Sequence, residues 1–385
     1  MKEYSVDKLR SVALVGHGGA GKTSLAEAIL YNAGATDRLG KITEGSTVMD
    51  FDPDEISRQK TISSSLGFCE WKKNKILIID TPGDANFVTD TLISLKGPDA
   101  VAVMVSAVSG VRVQTDKLWK SCDSFQKSRL VFINEMDHER ANYSQALTSL
   151  EKTFQQKMVP VQIPVGQGPS FSGIIDLIER KAYIFQNDLS GKYQTSEISP
   201  EMKQEFEKYY NRMIESIAES NDELLEKYLE TGELDLEEIK QVLRQETIKG
   251  NLVPVVCGSG LRNMGMQPLL DTIVDYLPSP LDIPAVEGLD PKSKEKIVRQ
   301  TTPGNGAFSA LVIKTIADPY AGKLTIFRVY SGSLRSDSTV YNSSKETRER
   351  IGQIFALQGK NQTPLDIAQT GDIVAVAKLK VTTTG

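Results

Sequence analysis

Four short apolar runs, 12–15, 76–79, 100–105 and 130–133, are spaced through the first 157 residues and alternate with segments of helical periodicity. Continuous apolar runs of this length, bounded by polar turns, predict strands buried on both faces of a largely parallel sheet. The helix expected to start at Lys22 carries Leu25, Ile29 and Leu30 on one face. The pattern predicts an α/β, doubly wound domain, a mostly parallel sheet with helices on both faces. Between 158 and 250 it changes. Short strands are expected at 159–165 and 172–185. Three helices follow, signalled by Ser199-Pro200, by Ser220 with Glu223, and by Asp235 with Glu238. Phe206, Tyr209, Tyr210, Met213, Ile214 and Ile217 form an apolar stripe at helical spacing, expected to be core. The strand pattern resumes at 252–256, with a helix from Gln267 to Tyr276. The first domain is therefore expected over 1–284, with 158–250 as an α+β insertion. Residues 285–304 read as polar linker. From 305 to 385, short alternating strands at 307–316, 324–330, 334–341, 348–357 and 373–380 predict a small β-barrel.

Composition narrows the class. The chain has 385 residues, 39% hydrophobic and 25% charged, ordinary for a globular protein. Cys69, Cys122 and Cys257 fit no disulfide or metal spacing and are expected as reduced core or near-core thiols. With no signal-peptide pattern and no apolar stretch of membrane-spanning length, the expectation is a cytoplasmic protein without a membrane partner. Net charge is −5, which argues against nonspecific nucleic-acid binding, DNA included. The charge is uneven: 305–385 holds ten Lys/Arg against six Asp/Glu, whereas 197–250 holds fifteen acidic against seven basic residues. Two different partner surfaces are implied. Nothing in the chain demands an oligomer, so a monomer is expected.

The chemistry sits in the turns. Gly16-His17-Gly18-Gly19-Ala20-Gly21-Lys22-Thr23 matches G-x-x-x-x-G-K-[ST] directly after the run Val12-Ala13-Leu14-Val15 and before a helix, with Ser24 next in line. Backbone N–H groups of such a turn cradle phosphates, Lys22 neutralises the β/γ-phosphates and the Thr23 hydroxyl can ligate Mg²⁺. Asp80-Thr81-Pro82-Gly83 follows 76–79. Its carboxylate can hold Mg²⁺ through water, and Gly83 lets backbone approach a γ-phosphate. Thr61, between the first helix and second strand, can complete Mg²⁺ coordination when a γ-phosphate is present. Asn134-Glu135-Met136-Asp137 follows 130–133. Asp137 can accept from both donors of the guanine edge, which adenine lacks, and Asn134 can brace the loop. Ser259, Gly260 and Leu261 follow the next strand and offer backbone N–H groups to guanine O6. In this order, each at a strand's C-terminal end, these turns point to GTP or GDP with Mg²⁺.

With these residues assembled, the chain resembles elongation factor G, a translational GTPase. Further similarity lies in Val159 to Gly166 with Gly173 to Asp176, in Gln267 to Leu270 with Asp275 to Pro280, and in Asp318-Pro319, Gly322 to Leu324, Arg328 to Gly332, Tyr341-Asn342 and Arg348 to Arg350. The resemblance implies that Lys22, Thr23, Thr61 and Asp80 serve phosphates and Mg²⁺ and that Asn134, Asp137 and Ser259 serve guanine. It implies a ribosome partner, with the barrel facing small-subunit RNA and the acidic insertion facing the ribosomal stalk. It implies GTP hydrolysis in translocation or recycling through Lys22, Thr61, Gly83 and the residue at Asp84. It also implies three further domains after a barrel that here stops near its last strands.

Four positions depart from the family pattern. Asp84 stands for the usual catalytic histidine, bringing like charge toward a γ-phosphate, so intrinsic hydrolysis is expected to be slow. Glu135 stands for a lysine whose stem could pack on the base. Gly19 replaces a common aspartate, and Gln59-Lys60 replaces Gly-Ile before the switch threonine. Together they resemble the elongation factor G-like paralogue group. One alternative is a GTP-dependent switch with little or no hydrolysis. Another is a P-loop enzyme acting on a different nucleotide, such as a metabolic kinase. His17 and His138 are expected to pack locally, and Arg58 to form a surface salt bridge.

Overall fold

The structure, a computed structural model, describes residues 4–290, 293–299, 301, 306–318 and 322–385. The chain opens with β1 (Leu9–Val15), α1 (Lys22–Asn32), α2 (Pro53–Arg58), β2 (Ser65–Trp71), β3 (Asn74–Asp80) and α3 (Val88–Ser94). It continues through β4 (Ala100–Ser106), α4 (Val113–Ser124), β5 (Ser128–Asn134), α5 (Tyr143–Thr153) and β6 (Lys157–Pro160). An excursion then builds an antiparallel sheet of β7 (Gln162–Val165), β8 (Gly173–Asp176), β9 (Lys181–Phe185) and β10 (Tyr193–Ser196). Helices α6 (Lys203–Ala218), α7 (Asp222–Thr231) and α8 (Leu236–Lys249) follow, and the chain returns as β11 (Leu252–Cys257) and α9 (Met266–Tyr276).

The central sheet has the order β2-β3-β1-β4-β5-β11-β6, with β2 antiparallel to β3 and every other neighbour parallel. Strands β1, β3, β4 and β5 are buried at every position, as the apolar runs require when helices cover both faces. The loops after β1, β3, β5 and β11 therefore leave one edge of the sheet together. Helix α1 is enclosed more widely than a single apolar face predicts, because Lys22, Thr23 and Glu27 are buried as well. Glu27 is held there by the N–H groups of Val48 and Met49, at 2.8 and 2.9 Å, which pins the stretch between α1 and α2 against the core.

The expected boundary at 158 shifts, since Lys157–Pro160 pairs with β11 and belongs to the main sheet. Asn221, rather than Ser220, caps α7 and accepts from Leu224 N–H at 3.0 Å. The Asp235/Glu238 capping box is present on α8, whereas Ser199-Pro200 begins a short 3-10 turn before α6. The three cysteines are buried and free. Among the described residues, no helix is long and apolar enough to cross a membrane.

The expected polar linker is not structureless: β12 (Val286–Leu289) and β13 (Lys296–Arg299) form an antiparallel hairpin. Residues 291–292, 300 and 302–305 lie outside the described residues, as does Pro319 of the barrel motif. The C-terminal region contains β14 (Ser309–Asp318), β15 (Gly322–Ser331), β16 (Ser333–Arg335), β17 (Thr339–Asn342), β18 (Thr347–Arg350), β19 (Ile354–Gln358), β20 (Asn361–Leu365), β21 (Ile367–Gln369) and β22 (Ile373–Ala377). Five of these form an antiparallel sheet, β14-β15-β22-β19-β20, and the others pair as ribbons. The single strand expected at 334–341 is broken in two where Asp337 takes a left-handed φ of 59°.

Buried ion pairs fix this β domain to the first. Arg328 donates to both Asp99 oxygens at 2.8 Å and to the Ser11 hydroxyl at 3.0 Å. Lys75 pairs with Asp372 at 2.9 Å, both side chains only 7% exposed. Closer to the sheet edge, Lys314 donates to Ser64 O at 2.8 Å and pairs with Asp90 at 3.0 Å. The segment just after Thr61 thus rests on the β domain.

Candidate nucleotide-binding site

At the C-terminal edge of the central sheet lies a cleft of about 680 Å³ lined by part of the P-loop with Thr61, Gly83-Asp84, Asn134-Glu135, Asp137, Ser259 and Leu261, whereas Gly16, His17, Ala20 and Gly260 stand behind the lining. That volume lies within the range of ordinary ligand pockets. Helix α1 begins after Gly21 with no side-chain cap, so its first N–H groups face the cleft. Gly21 has a left-handed φ of 82°, and a Cβ there would collide with the Asn134 amide. Gly83 is equally constrained, since a Cβ would come within 2.8 Å of Gly18 N and His17 O.

The phosphate end is built on α1. Lys22 is buried and donates to Gly16 O and His17 O, both at 3.1 Å. Burial pulls its pKa down to about 8, against the charges of Asp80 and Asp50. Thr23 Oγ1 donates to Asp80 Oδ2 at 2.7 Å and lies 2.9 Å from Thr61 Oγ1. The residues chosen for phosphate and Mg²⁺ are therefore brought together. Ser24, Gly18 and Gly19 line the same cleft. His17 stays neutral: burial, then the charges of Lys22 and Arg112, lower its pKa to about 4.

The guanine end is braced by Asn134. Its Nδ2 donates to Ala20 O at 2.8 Å, and its Oδ1 accepts from Gly260 N–H at 2.9 Å, so one side chain ties the P-loop to the 258–261 loop. The Asp137 carboxylate faces the cleft 4.0 Å from Arg262 Nε. Fewer loop donors remain for a guanine oxygen than expected. Ser259 N–H is bound to Met264 O and Gly260 N–H to Asn134, which leaves the N–H of the exposed Leu261. Ser259 Oγ accepts from Arg262 N–H at 3.0 Å. His138 packs locally, its Nδ1 accepting from Arg140 N–H at 3.1 Å.

Residues 7–279 match the family described as "Elongation factor Tu GTP binding domain", and residues 307–385 match "Elongation factor G domain 2". The chain belongs to the elongation factor G family of translational GTPases. It is also similar to a crystal structure of a protein from Thermus thermophilus, with 29% identity and a TM-score of 0.86. That likeness covers 98% of this chain and 54% of the Thermus chain, so the present chain spans about half its relative's length.

The departures from the elongation factor G pattern have definite placements. Asp84 Oδ1 accepts from Asn86 N–H at 3.0 Å, capping the short turn before α3. Glu135 takes a left-handed φ of 65° and accepts from the Ser106 hydroxyl. Around Gly19, φ 85°, nothing lies within 4 Å of where a Cβ would stand. Gln59 caps α2 at a φ of 53°, a conformation that glycine takes without strain.

One site residue escaped sequence reasoning. Asp50 lines the phosphate end and is buried near the Thr61 hydroxyl, with no hydrogen bond of good geometry to either of its oxygens. Asp80 Oδ1 is likewise unpartnered. Burial raises the pKa of both carboxyls; the Asp80 charge adds to the shift at Asp50, while Thr23 and Lys22 restrain that of Asp80. A lone aspartate in a polar stretch carries no motif, so only the fold reveals it. Unpaired acidic oxygens beside two threonine hydroxyls suit a hydrated Mg²⁺. Among the described residues, no three His, Cys, Asp or Glu are grouped to cage a metal, so such an ion would depend on phosphate oxygens and water.

Proposed function

We propose that this chain is the nucleotide-handling part of a factor that hydrolyses GTP to GDP and phosphate on the ribosome, in translocation or recycling. The observation that carries the reading is the convergence of Lys22, Thr23, Thr61 and Asp80 on one end of a cleft whose other end holds Asn134 and Asp137. Water would attack the γ-phosphate directly. Lys22 and the P-loop N–H groups stabilise charge on the phosphates, Thr61 closes over them, and Gly83 offers a backbone N–H. Thr23 and Thr61 would ligate Mg²⁺, with Asp80 and Asp50 accepting from its water shell. Bound there, the ion neutralises phosphate charge. The basic β domain suits small-subunit RNA, and the acidic insertion suits the ribosomal stalk.

A second reading, a GTP-dependent ribosome-binding switch with little turnover, is favoured by one observation. One oxygen of the Asp84 carboxylate is held by Asn86 N–H, which fixes an acidic group where the family pattern has a histidine. GTP hydrolysis by the full-length protein, with and without ribosomes, separates the two. Ribosome-stimulated turnover supports the first reading. A flat rate with GTP binding intact supports the second, which then predicts that Asp84→His raises turnover.

A further inference from the structure

Two of the departures from the family pattern meet. Lys60 Nζ lies 3.7 Å from Asp84 Oδ2, and both residues line the phosphate end of the cleft. Lys60 comes from the loop after α2 and Asp84 from the loop after β3, so the pair spans the two segments on either side of the expected γ-phosphate position. Backbone geometry presents Lys60 there. Gln59 turns the chain at a φ of 53°, and Lys60 N–H donates to Glu55 O at 3.1 Å, ending α2. On the opposite side, Asp84 Oδ1 is taken by Asn86 N–H at 3.0 Å, leaving Oδ2 for Lys60. Lys22 donates to the carbonyls of Gly16 and His17, which leaves one of its three donors for a phosphate oxygen.

Resting on the reading of this cleft as a GTP site, we propose that Lys60 is a positioning residue for Asp84. The ion pair clasps the two loops and offsets the negative charge that Asp84 brings toward a γ-phosphate, so that the site keeps its affinity for GTP relative to GDP. Without the clasp, the carboxylate and the triphosphate repel each other, and only GTP is affected because GDP lacks the third phosphate. The side chains are 66% and 30% exposed, so solvent screens the pair and the effect is modest.

The test is a double-mutant cycle in the full chain, with Lys60→Met, Asp84→Asn and the double variant, titrated with fluorescent GDP and a non-hydrolysable GTP analogue. Lys60→Met is expected to weaken the GTP analogue by roughly two- to five-fold with GDP unchanged, and the loss should vanish in the Asp84→Asn background. The same loss in both backgrounds would mean that Lys60 acts on the phosphate by itself and would overturn the proposal. An equal loss for GDP would overturn it too. If the parent chain bound neither nucleotide while remaining folded by circular dichroism, the GTP reading itself would fall, and the proposal with it.

Discussion

The two ends of the cleft are built on different principles. At the guanine end the supporting brace is satisfied within the protein: Asn134 bonds both Ala20 O and Gly260 N–H, Ser259 closes on Met264, and Gly21 packs against the Asn134 amide. At the phosphate end polar groups are left over. Both Asp50 oxygens, Asp80 Oδ1 and His17 Nδ1 lack a hydrogen bond of good geometry, and burial depresses Lys22 while raising the two aspartates. Orphaned buried polar atoms are uncommon in folded proteins, and four of those in this chain sit together at this end of the cleft. On the function proposed, the base end is preformed, whereas the phosphate end is finished by its ligand.

That contrast can be broken or sharpened by substitution. The largest effect is expected at Asn134. Asn134→Ala strands Ala20 O and Gly260 N–H, which should lower stability by about 2–4 kcal/mol and guanine-nucleotide affinity by roughly a hundred-fold. Urea unfolding and nucleotide titration would measure both. Next comes the metal: chelating Mg²⁺ should weaken GDP binding by about ten-fold, and Asp50→Asn should shrink that difference by removing a buried negative charge. Equal dependence on Mg²⁺ in parent and variant would detach Asp50 from the site. Glu135→Lys should tighten GDP by about five-fold, through a longer stem over the base. The smallest effect is expected at Gln59, where Gln59→Gly relieves a left-handed turn and should add about 0.5–1 kcal/mol in urea unfolding.

What could be read from sequence follows the same division. Strands β1, β3, β4 and β5 announce themselves because burial on both faces leaves an uninterrupted apolar run. Turns that follow such strands carry motifs, so Lys22, Asp80 and Asn134 are legible from spacing alone. Asp50 is not, since it reaches the cleft only because Glu27 anchors the neighbouring backbone of Val48 and Met49. The meeting of Lys60 and Asp84 depends on two loops distant in sequence. The hairpin of β12 and β13 was hidden too, because its mostly exposed residues look like linker. In the β domain, the break at Asp337 depends on a single left-handed residue that alternation cannot signal.

The most direct test of a preformed base end and a ligand-completed phosphate end is amide hydrogen exchange on the chain, free and with Mg²⁺ and GDP or a GTP analogue. Slow exchange at Gly260 and its loop in the free protein, with new protection confined to 16–24 and 58–64 on binding, is the predicted result. A 258–261 loop that exchanges freely without ligand, and gains as much protection as the P-loop, would contradict it.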